Sequence, residues 1–273
     1  RLRRLEAYAP PLARPRYRPV RAPARVRARV ALLLGCVMRV AYGDVHTAAA
    51  RVLARYGVAV VEVPAQTCCG ALHAHAGDLD EARRLARANI EAFERAEVDA
   101  VVVDAAGCGA HLKGYADLFA YGDPVDPAWA ERAARLAARV RDVTEYLAEA
   151  IEAPVIGRLP LRVTYQDPCH LAHAQGVRSQ PRALLRKVEG LELVEMADAD
   201  VCCGSAGSYN ITQPAYADRL LSDKLDAALA TGAAAIVSAN PGCMIQIAAG
   251  LRARGRDVPV LHVVEVLDRA LRS

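Results

Sequence analysis

Short apolar runs alternate with longer amphipathic segments along the first half of the chain. The runs at residues 30–34, 58–63 and 100–103 predict strands, the first of them buried on both faces. Between them, residues 44–56 and 79–96 have the apolar spacing of helices. This alternation of strand and helix indicates a parallel sheet with helices on both of its faces.

The second half of the chain repeats the same pattern. Residues 161–165, 191–196 and 234–237 predict strands, and residues 181–188 and 215–230 predict helices. The two halves also end in similar sequences, Val-Thr-Glu-Tyr-Leu at 143–147 and Val-Val-Glu-Val-Leu at 263–267. The chain is therefore predicted to consist of two copies of one arrangement of strands and helices.

The cysteines support this duplication. Every cysteine of the first half has a partner 133 to 135 residues later: Cys36 with Cys169, Cys68 and Cys69 with Cys202 and Cys203, and Cys108 with Cys243. The predicted fold class is α/β, with two tandem pseudo-symmetric half-domains, each a small parallel sheet flanked by helices. The predicted organisation is a basic linker rich in Pro and Arg at 1–29, a first cysteine-rich half at 30–153 and a second at 154–273.

Charge is distributed unevenly over the 273 residues. Residues 1–29 contain ten Arg, five Pro and one acidic residue, so the remainder carries a net negative charge although the whole chain is at +4. This body is mildly acidic, and aromatic residues make up only 5% of the chain, which argues against nucleic-acid binding. No apolar run is long enough to predict a membrane span or a secretory signal, so we expect a cytoplasmic protein, with peripheral attachment to the membrane as the variant. Because the chain begins with Arg1, we interpret it as part of a longer protein.

Each cysteine follows a predicted strand, directly or after a short turn. Since the carboxyl ends of parallel strands meet at one edge of a sheet, four thiols are expected to converge in each half. Four thiolates can hold an iron–sulfur cluster or a zinc ion. Adjacent cysteines can also form labile disulfides, and buried thiols can serve as small apolar groups. We favour iron–sulfur binding, because no Cys-x-x-Cys pair of the kind found in zinc ribbons is present.

Other residues near the thiols are candidates for supporting roles. Gly70, Gly107, Gly204 and Gly242 flank the cysteines and would let backbone N–H groups approach the cluster sulfurs. His170, next to Cys169, is a candidate hydrogen-bond donor to sulfur, with a polar rim position as its alternative role. Tyr115 is expected to fill the core or its rim, and Lys224 is read as a solvated helix charge.

The spacing Cys-x31-Cys-Cys-Gly-x37-Cys and its second copy resemble the cysteine-rich CCG domains of heterodisulfide-reductase-like proteins. More closely, the segments at 31–36, 89–92, 106–109, 173–175, 201–207 and 263–271 resemble the family of glycolate oxidase iron–sulfur subunits. The resemblance covers about residues 30–272. It differs from many CCG domains at Ala105 and Asn240, which stand where those domains have a further cysteine, so five-thiolate sites are not expected.

This resemblance implies a function. The chain would be an electron-transfer subunit of a flavin-dependent glycolate or 2-hydroxy-acid oxidase or dehydrogenase, with one [4Fe-4S] cluster in each half. The flavin, FAD or FMN, would be on partner flavoprotein subunits, and a quinone or another acceptor would take the electrons. A ferredoxin-like N-terminal region is usual in the family, and we expect that the sequence from Arg1 onward does not include it. Alternatives are a thiol–disulfide reductase, a zinc scaffold, or a subunit of a lactate or glycerol-3-phosphate dehydrogenase.

Overall fold

The computed structural model describes residue 6 and residues 8–9, 16–121 and 125–273. It contains two compact units, one of residues Pro15–Ile151 and the other containing Glu152–Ser273. Much of the predicted linker at 1–29, namely residues 1–5, 7 and 10–15, lies outside the described residues. Residues 16–29 belong to the first unit, where the Arg18 N–H donates to Thr47 Oγ1 at 2.9 Å and the Arg27 N–H to the Gly57 carbonyl at 2.8 Å.

The first unit is built on a four-stranded parallel sheet. Its strands are β1 (Ala28–Leu33), β2 (Val58–Val61), β3 (Ala100–Val103) and β4 (Val140–Asp142), in the order β2-β1-β3-β4. The central strands β1 and β3 are apolar because helices cover both faces of the sheet. Residues 30–33 of β1 and 100–103 of β3 are almost fully buried. Helices of this unit are α1 (Val37–Ala41), α2 (Gly43–Arg55), α3 (Ala71–His75), α4 (Leu79–Arg95), α5 (Ala106–Lys113), α6 (Asp117–Ala120), α7 (Pro127–Ala137) and α8 (Val143–Ala150).

Local sequence fixes the ends of several of these helices. The Asp78 carboxylate caps α4 by accepting from the Glu81 N–H, and the Asp126 carboxylate caps α7 in the same way. At α8, Asp142 and Glu145 form a reciprocal capping box. Of these caps, Asp142 marks a turn from strand into helix, and Asp78 and Asp126 mark turns between helices.

The second unit has the same strand order. Its strands are β5 (Gly157–Tyr165), β6 (Val188–Leu193), β7 (Ala235–Ser238) and β8 (Val260–His262), all parallel in the order β6-β5-β7-β8. Its helices are a short π-helix (His170–Ala174), α9 (Ser179–Arg186), α10 (Tyr209–Thr212), α11 (Pro214–Ala230), α12 (Pro241–Ala253) and α13 (Val263–Arg272). The predicted fold class, two α/β half-domains each with a small parallel sheet flanked by helices, is confirmed.

Several bounds differ from the sequence expectation. The strands β4 and β8 were not predicted as strands, because three residues are too few to show a period. The strand β6 begins at Val188 rather than at 191, because Val188 and Glu189 pair with an earlier part of β5, which begins at Gly157 rather than at 161. The pairing shifts register beside Gly190, which has a left-handed φ of +76°. The units divide between Ile151 and Glu152, whereas the sequence placed the boundary between 153 and 154.

In the parts of the chain that the structure describes, no helix has both the length and the apolarity that crossing a bilayer requires.

Candidate functional site

The four cysteines of the first unit lie beyond the carboxyl ends of three strands. Cys36 follows β1, Cys68 and Cys69 lie on the loop between β2 and α3, and Cys108 is in the first turn of α5 after β3. Because these strands are parallel, their ends meet at one edge of the sheet, as the sequence predicted. Cys68 Sγ is 3.3 Å from Cys36 Sγ, and Cys69 Sγ is 3.1 Å from Cys108 Sγ.

Two buried side chains hold the Cys68–Cys69 loop in place. The Asn89 amide on α4 donates to the Cys68 carbonyl at 2.9 Å, and its oxygen accepts from the Thr67 N–H at 2.8 Å. The Tyr115 hydroxyl donates to the Cys69 carbonyl at 2.7 Å and accepts from the Asn89 amide at 3.1 Å. Both side chains are fully buried, so the loop rests on a satisfied polar network rather than on solvent.

The second unit brings its cysteines together in the same way. Cys169 follows β5, Cys202 and Cys203 lie in the loop after β6, and Cys243 is in the first turn of α12 after β7. Hydrogen bonds between thiols link Cys169 to Cys202, Cys202 to Cys203, and Cys203 to Cys243. All eight predicted ligands are therefore gathered, four in each unit.

The flanking glycines differ in what they contribute. Gly70 and Gly204 both have φ of +86°, and their N–H groups donate to Cys68 Sγ at 3.4 Å and Cys202 Sγ at 3.3 Å. A Cβ on Gly242 would stand 2.9 Å from Ser205 Oγ, so this glycine permits a close approach of the two loops. Gly107 lies within α5 and has no positive φ.

Hydrogen bonding polarises the two thiol clusters. The pKa of Cys68 is lowered to about 2, chiefly by the hydrogen bond from Cys36, then by that from Cys69 and by the Gly70 N–H. The pKa of Cys202 is likewise lowered to about 2, chiefly by hydrogen bonds from Cys169 and Cys203. Metals bind the thiolate form, which the low pKa of Cys68 and of Cys202 favours in each cluster.

The donor set fits a metal or cluster, but only after the sulfurs spread. Four sulfurs around one zinc ion at about 2.3 Å would stand about 3.8 Å apart, and those of the first unit are closer. Accordingly, among the described residues no three His, Cys, Asp or Glu side chains already surround a space for a metal ion. The chemistry of the set is all sulfur, with backbone N–H donors aimed at it, which is the type that soft metals and iron–sulfur clusters select.

His170 lies beside the second cluster. Its backbone N–H donates to Cys169, and its imidazole charge contributes to the lowered pKa of Cys202. His73 has the corresponding electrostatic effect on Cys68 in the first unit.

The expectation of a solvated Lys224 is wrong. Its side chain is 3% exposed, and the ammonium donates to the carbonyls of Asp198 and Ala199, the latter at 3.1 Å. The sequence reasoning also missed Asn89 as a support of the Cys68–Cys69 loop and Arg182, which binds the buried Asp167 with two hydrogen bonds of 2.6 and 2.7 Å. The only available signal was Asn89 itself, a polar residue on the apolar face of a predicted helix.

A family model described as a cysteine-rich domain, CCG, matches the chain twice, at residues 30–113 and 163–248. Each match begins in or beside the first strand of a unit and contains its four cysteines. The chain belongs to the CCG cysteine-rich domain family.

Relatives in this family cover nearly the whole chain. A Bacillus subtilis protein named "Probable glycolate oxidase iron-sulfur subunit" is 38% identical over 98% of this chain, which spans 62% of that protein's length. Lactate utilization protein A of Oceanobacillus iheyensis is 32% identical, over 88% of this chain and 96% of its own length. A crystal structure of a hypothetical protein from Helicobacter pylori matches with a TM-score of 0.68 at 10% identity, covering 94% of this chain and 52% of that one. That last likeness concerns the fold alone.

Proposed function

We propose that this chain is an iron–sulfur electron-transfer subunit of an oxidoreductase complex that oxidises glycolate or a related 2-hydroxy acid. The observation that carries the proposal is the convergence of four thiols at the same sheet edge in each of two CCG units. The names of the relatives, an iron–sulfur subunit of glycolate oxidase and lactate utilization proteins, support the substrate class.

The eight cysteines would hold one [4Fe-4S] cluster in each unit. Cys36, Cys68, Cys69 and Cys108 form the first set, and Cys169, Cys202, Cys203 and Cys243 form the second. Such clusters supply one-electron transfer when bound. The chain contributes the thiolates, the N–H donors of Gly70 and Gly204 that stabilise charge on sulfur, and the networks that fix the Cys-Cys loops.

The chemistry on the substrate belongs to a partner in this proposal. Oxidising a 2-hydroxy acid to a 2-oxo acid removes two electrons and two protons, a step suited to FAD or FMN on a flavoprotein subunit. The present chain would receive these electrons and pass them on to a quinone or another acceptor. We place the complex in the cytoplasm, with peripheral attachment to the inner face of the membrane where the acceptor is a quinone.

The proposal is tested on the complex purified anaerobically through an affinity tag on this chain. Glycolate, lactate or glycerol 3-phosphate is added, and the visible absorbance of the iron–sulfur centres is followed. Bleaching by glycolate or lactate is expected, and the compound that bleaches the centres is the substrate. Absence of iron, or centres that none of the three compounds bleaches while dithionite does, would reject the proposed role.

A second candidate function is thiol–disulfide exchange, which the contact between Cys69 and Cys108 sulfurs at 3.1 Å favours. It predicts reduction of a small disulfide by metal-free protein and loss of this activity in Cys69→Ser. Metal-free protein without such activity eliminates it.

A further inference from the structure

The two cysteine sets are alike, but the groups around them are not. The long helices α4 and α11 each have 17 residues and begin 135 residues apart, at Leu79 and Pro214. Each passes behind the glycine of its own Cys-Cys-Gly loop: a Cβ on Gly70 would face Ala82, and one on Gly204 would face Ala217, again 135 residues later. Lys224 therefore occupies in the second unit the helix position that Asn89 occupies in the first.

Asn89 and Lys224 both donate hydrogen bonds to backbone carbonyls near the cysteine loop, but they differ in charge. Asn89, a neutral amide, donates to the Cys68 carbonyl at 2.9 Å. Lys224 donates to the carbonyls of Asp198 and Ala199, on the turn that leads into Cys202. The first cysteine loop is therefore supported by a dipole and the second by a buried ammonium.

A second difference lies at the start of the helix that carries the last cysteine. Asn240 precedes α12, and its side chain makes no cap hydrogen bond to the helix backbone. Instead its amide donates to Cys243 Sγ at 3.5 Å. The equivalent residue before α5 is Ala105, which has no polar side chain to offer Cys108.

Both groups lie beside the second set of cysteines. The Asn240 amide contacts Cys243 Sγ directly, and the Lys224 ammonium is held by the carbonyl of Ala199, three residues before Cys202. A fixed positive charge and a hydrogen bond to a ligand sulfur both favour the more negative, reduced state of an iron–sulfur centre.

We propose that Lys224 and Asn240 tune the second thiol site, raising the reduction potential of its centre, and that the first site has no equivalent of either group. This inference rests on the proposed function. It assigns positioning and electrostatic roles rather than ligation: the two residues make one of two otherwise similar centres a better electron acceptor. A larger share of the electrons held by this chain would then reside at the second centre than in a chain without these residues.

Burial works in the opposite direction and has to be separated from the charge effect. Cys243 is buried where its counterpart Cys108 is half-buried, and Cys169 is half-buried where its counterpart Cys36 is exposed. Burial disfavours added negative charge. Substitutions at Lys224 and Asn240 leave the cysteines in place. They therefore measure the contribution of charge and hydrogen bonding within one site.

The test is an anaerobic potentiometric titration of the full iron-loaded chain, followed by electron paramagnetic resonance. Lys224→Met and Asn240→Ala should each lower the midpoint of the same one of two transitions. Ala105→Asn should raise the midpoint of the other transition. Lys224→Arg retains the charge and should keep the parent midpoint. Arg219→Met is the matched control, because Arg219 lies on the same helix but is 80% exposed and pairs with Asp223.

The outcomes separate the inference from the function on which it rests. Parent protein that takes up no iron refutes the proposed function, and the inference with it. Parent protein with two centres whose midpoints do not respond to Lys224→Met or Asn240→Ala refutes the inference alone, as does an equal shift of both transitions. If Lys224→Met loses its iron or its circular dichroism, Asn240→Ala decides: an unmoved midpoint in that variant rejects the tuning role.

Discussion

Replacing Gly204 by alanine tests whether the second Cys-Cys-Gly loop needs both a left-handed backbone and a bare Cα. Gly204 has φ of +86°, and an added Cβ would stand 2.4 Å from the carbonyl oxygen of Ala217 on α11. Gly232, in the turn between α11 and β7, has φ of +63° with no atom within 4 Å of an added Cβ. The two glycines therefore share the conformational requirement, and only Gly204 has the steric one.

The expected losses follow from these two terms. A non-glycine residue in the left-handed region costs roughly 1–2 kcal/mol, which is the whole effect expected for Gly232→Ala. Forcing a methyl group into a packed site adds about 1–3 kcal/mol, because a helix carbonyl cannot move aside as a flexible side chain can. Gly204→Ala should therefore lower the free energy of unfolding by about 2–5 kcal/mol.

Urea unfolding of the metal-free full chain measures these values. Circular dichroism follows both units, while fluorescence of Trp129, the single tryptophan, follows the first unit. The component of the dichroism that the fluorescence does not follow should shift much further in Gly204→Ala than in Gly232→Ala. Equal shifts in the two variants, within about 0.5 kcal/mol, would refute the packing argument.

Three further predictions concern buried polar groups. His46 lies between Asp104 and the Leu34 carbonyl, at 2.7 and 3.0 Å; burial alone would lower its pKa, but the charge of Asp104 and these hydrogen bonds raise it. The stabilising effect of His46 should be complete below about pH 6.5, the pKa of an unfolded histidine, and should be lost as pH rises through the higher folded pKa. Urea unfolding from pH 5.5 to 9 should show this decline in the free energy of unfolding, and His46→Gln should flatten it. Tyr115→Phe removes the hydroxyl bound to the Cys69 carbonyl and should cost about 1–3 kcal/mol; an unchanged urea midpoint would contradict this. Arg182→Met leaves Asp167 buried without its guanidinium and should cost about 3–5 kcal/mol by the same assay, and a loss below about 1 kcal/mol, typical of an exposed pair, would show that Asp167 is solvated.

The sequence predicted most accurately those strands and helices whose own residues carry a clear apolar pattern. The strands β1 and β3 are continuous apolar runs because both of their faces are covered, and the cysteine spacing revealed the repeat before any fold was known. The helices α2 and α4 were predicted within about one residue at each end, since glycine and aspartate mark their boundaries.

What sequence could not provide depends on contacts between distant residues. Asn89 and Lys224 are seven residues beyond Ala82 and Ala217 on their helices, but only the fold shows that these positions face the cysteine loops. Lys224 lies among Asp223 and Asp226 in the sequence and is therefore interpreted as a solvated charge, because its partners are backbone carbonyls that no sequence motif marks. The asymmetry of the two sites was therefore hidden behind a symmetric set of cysteines.

The central claim is that each thiol set holds its own iron–sulfur cluster. Chemical analysis of iron and acid-labile sulfide in the anaerobically reconstituted full chain tests it most directly, with Cys69→Ser and Cys203→Ser as variants that each disable one set. We expect roughly four iron and four sulfide per unit, and half of the total in each variant. One zinc ion per unit without sulfide, or iron that both variants retain in full, would contradict the account.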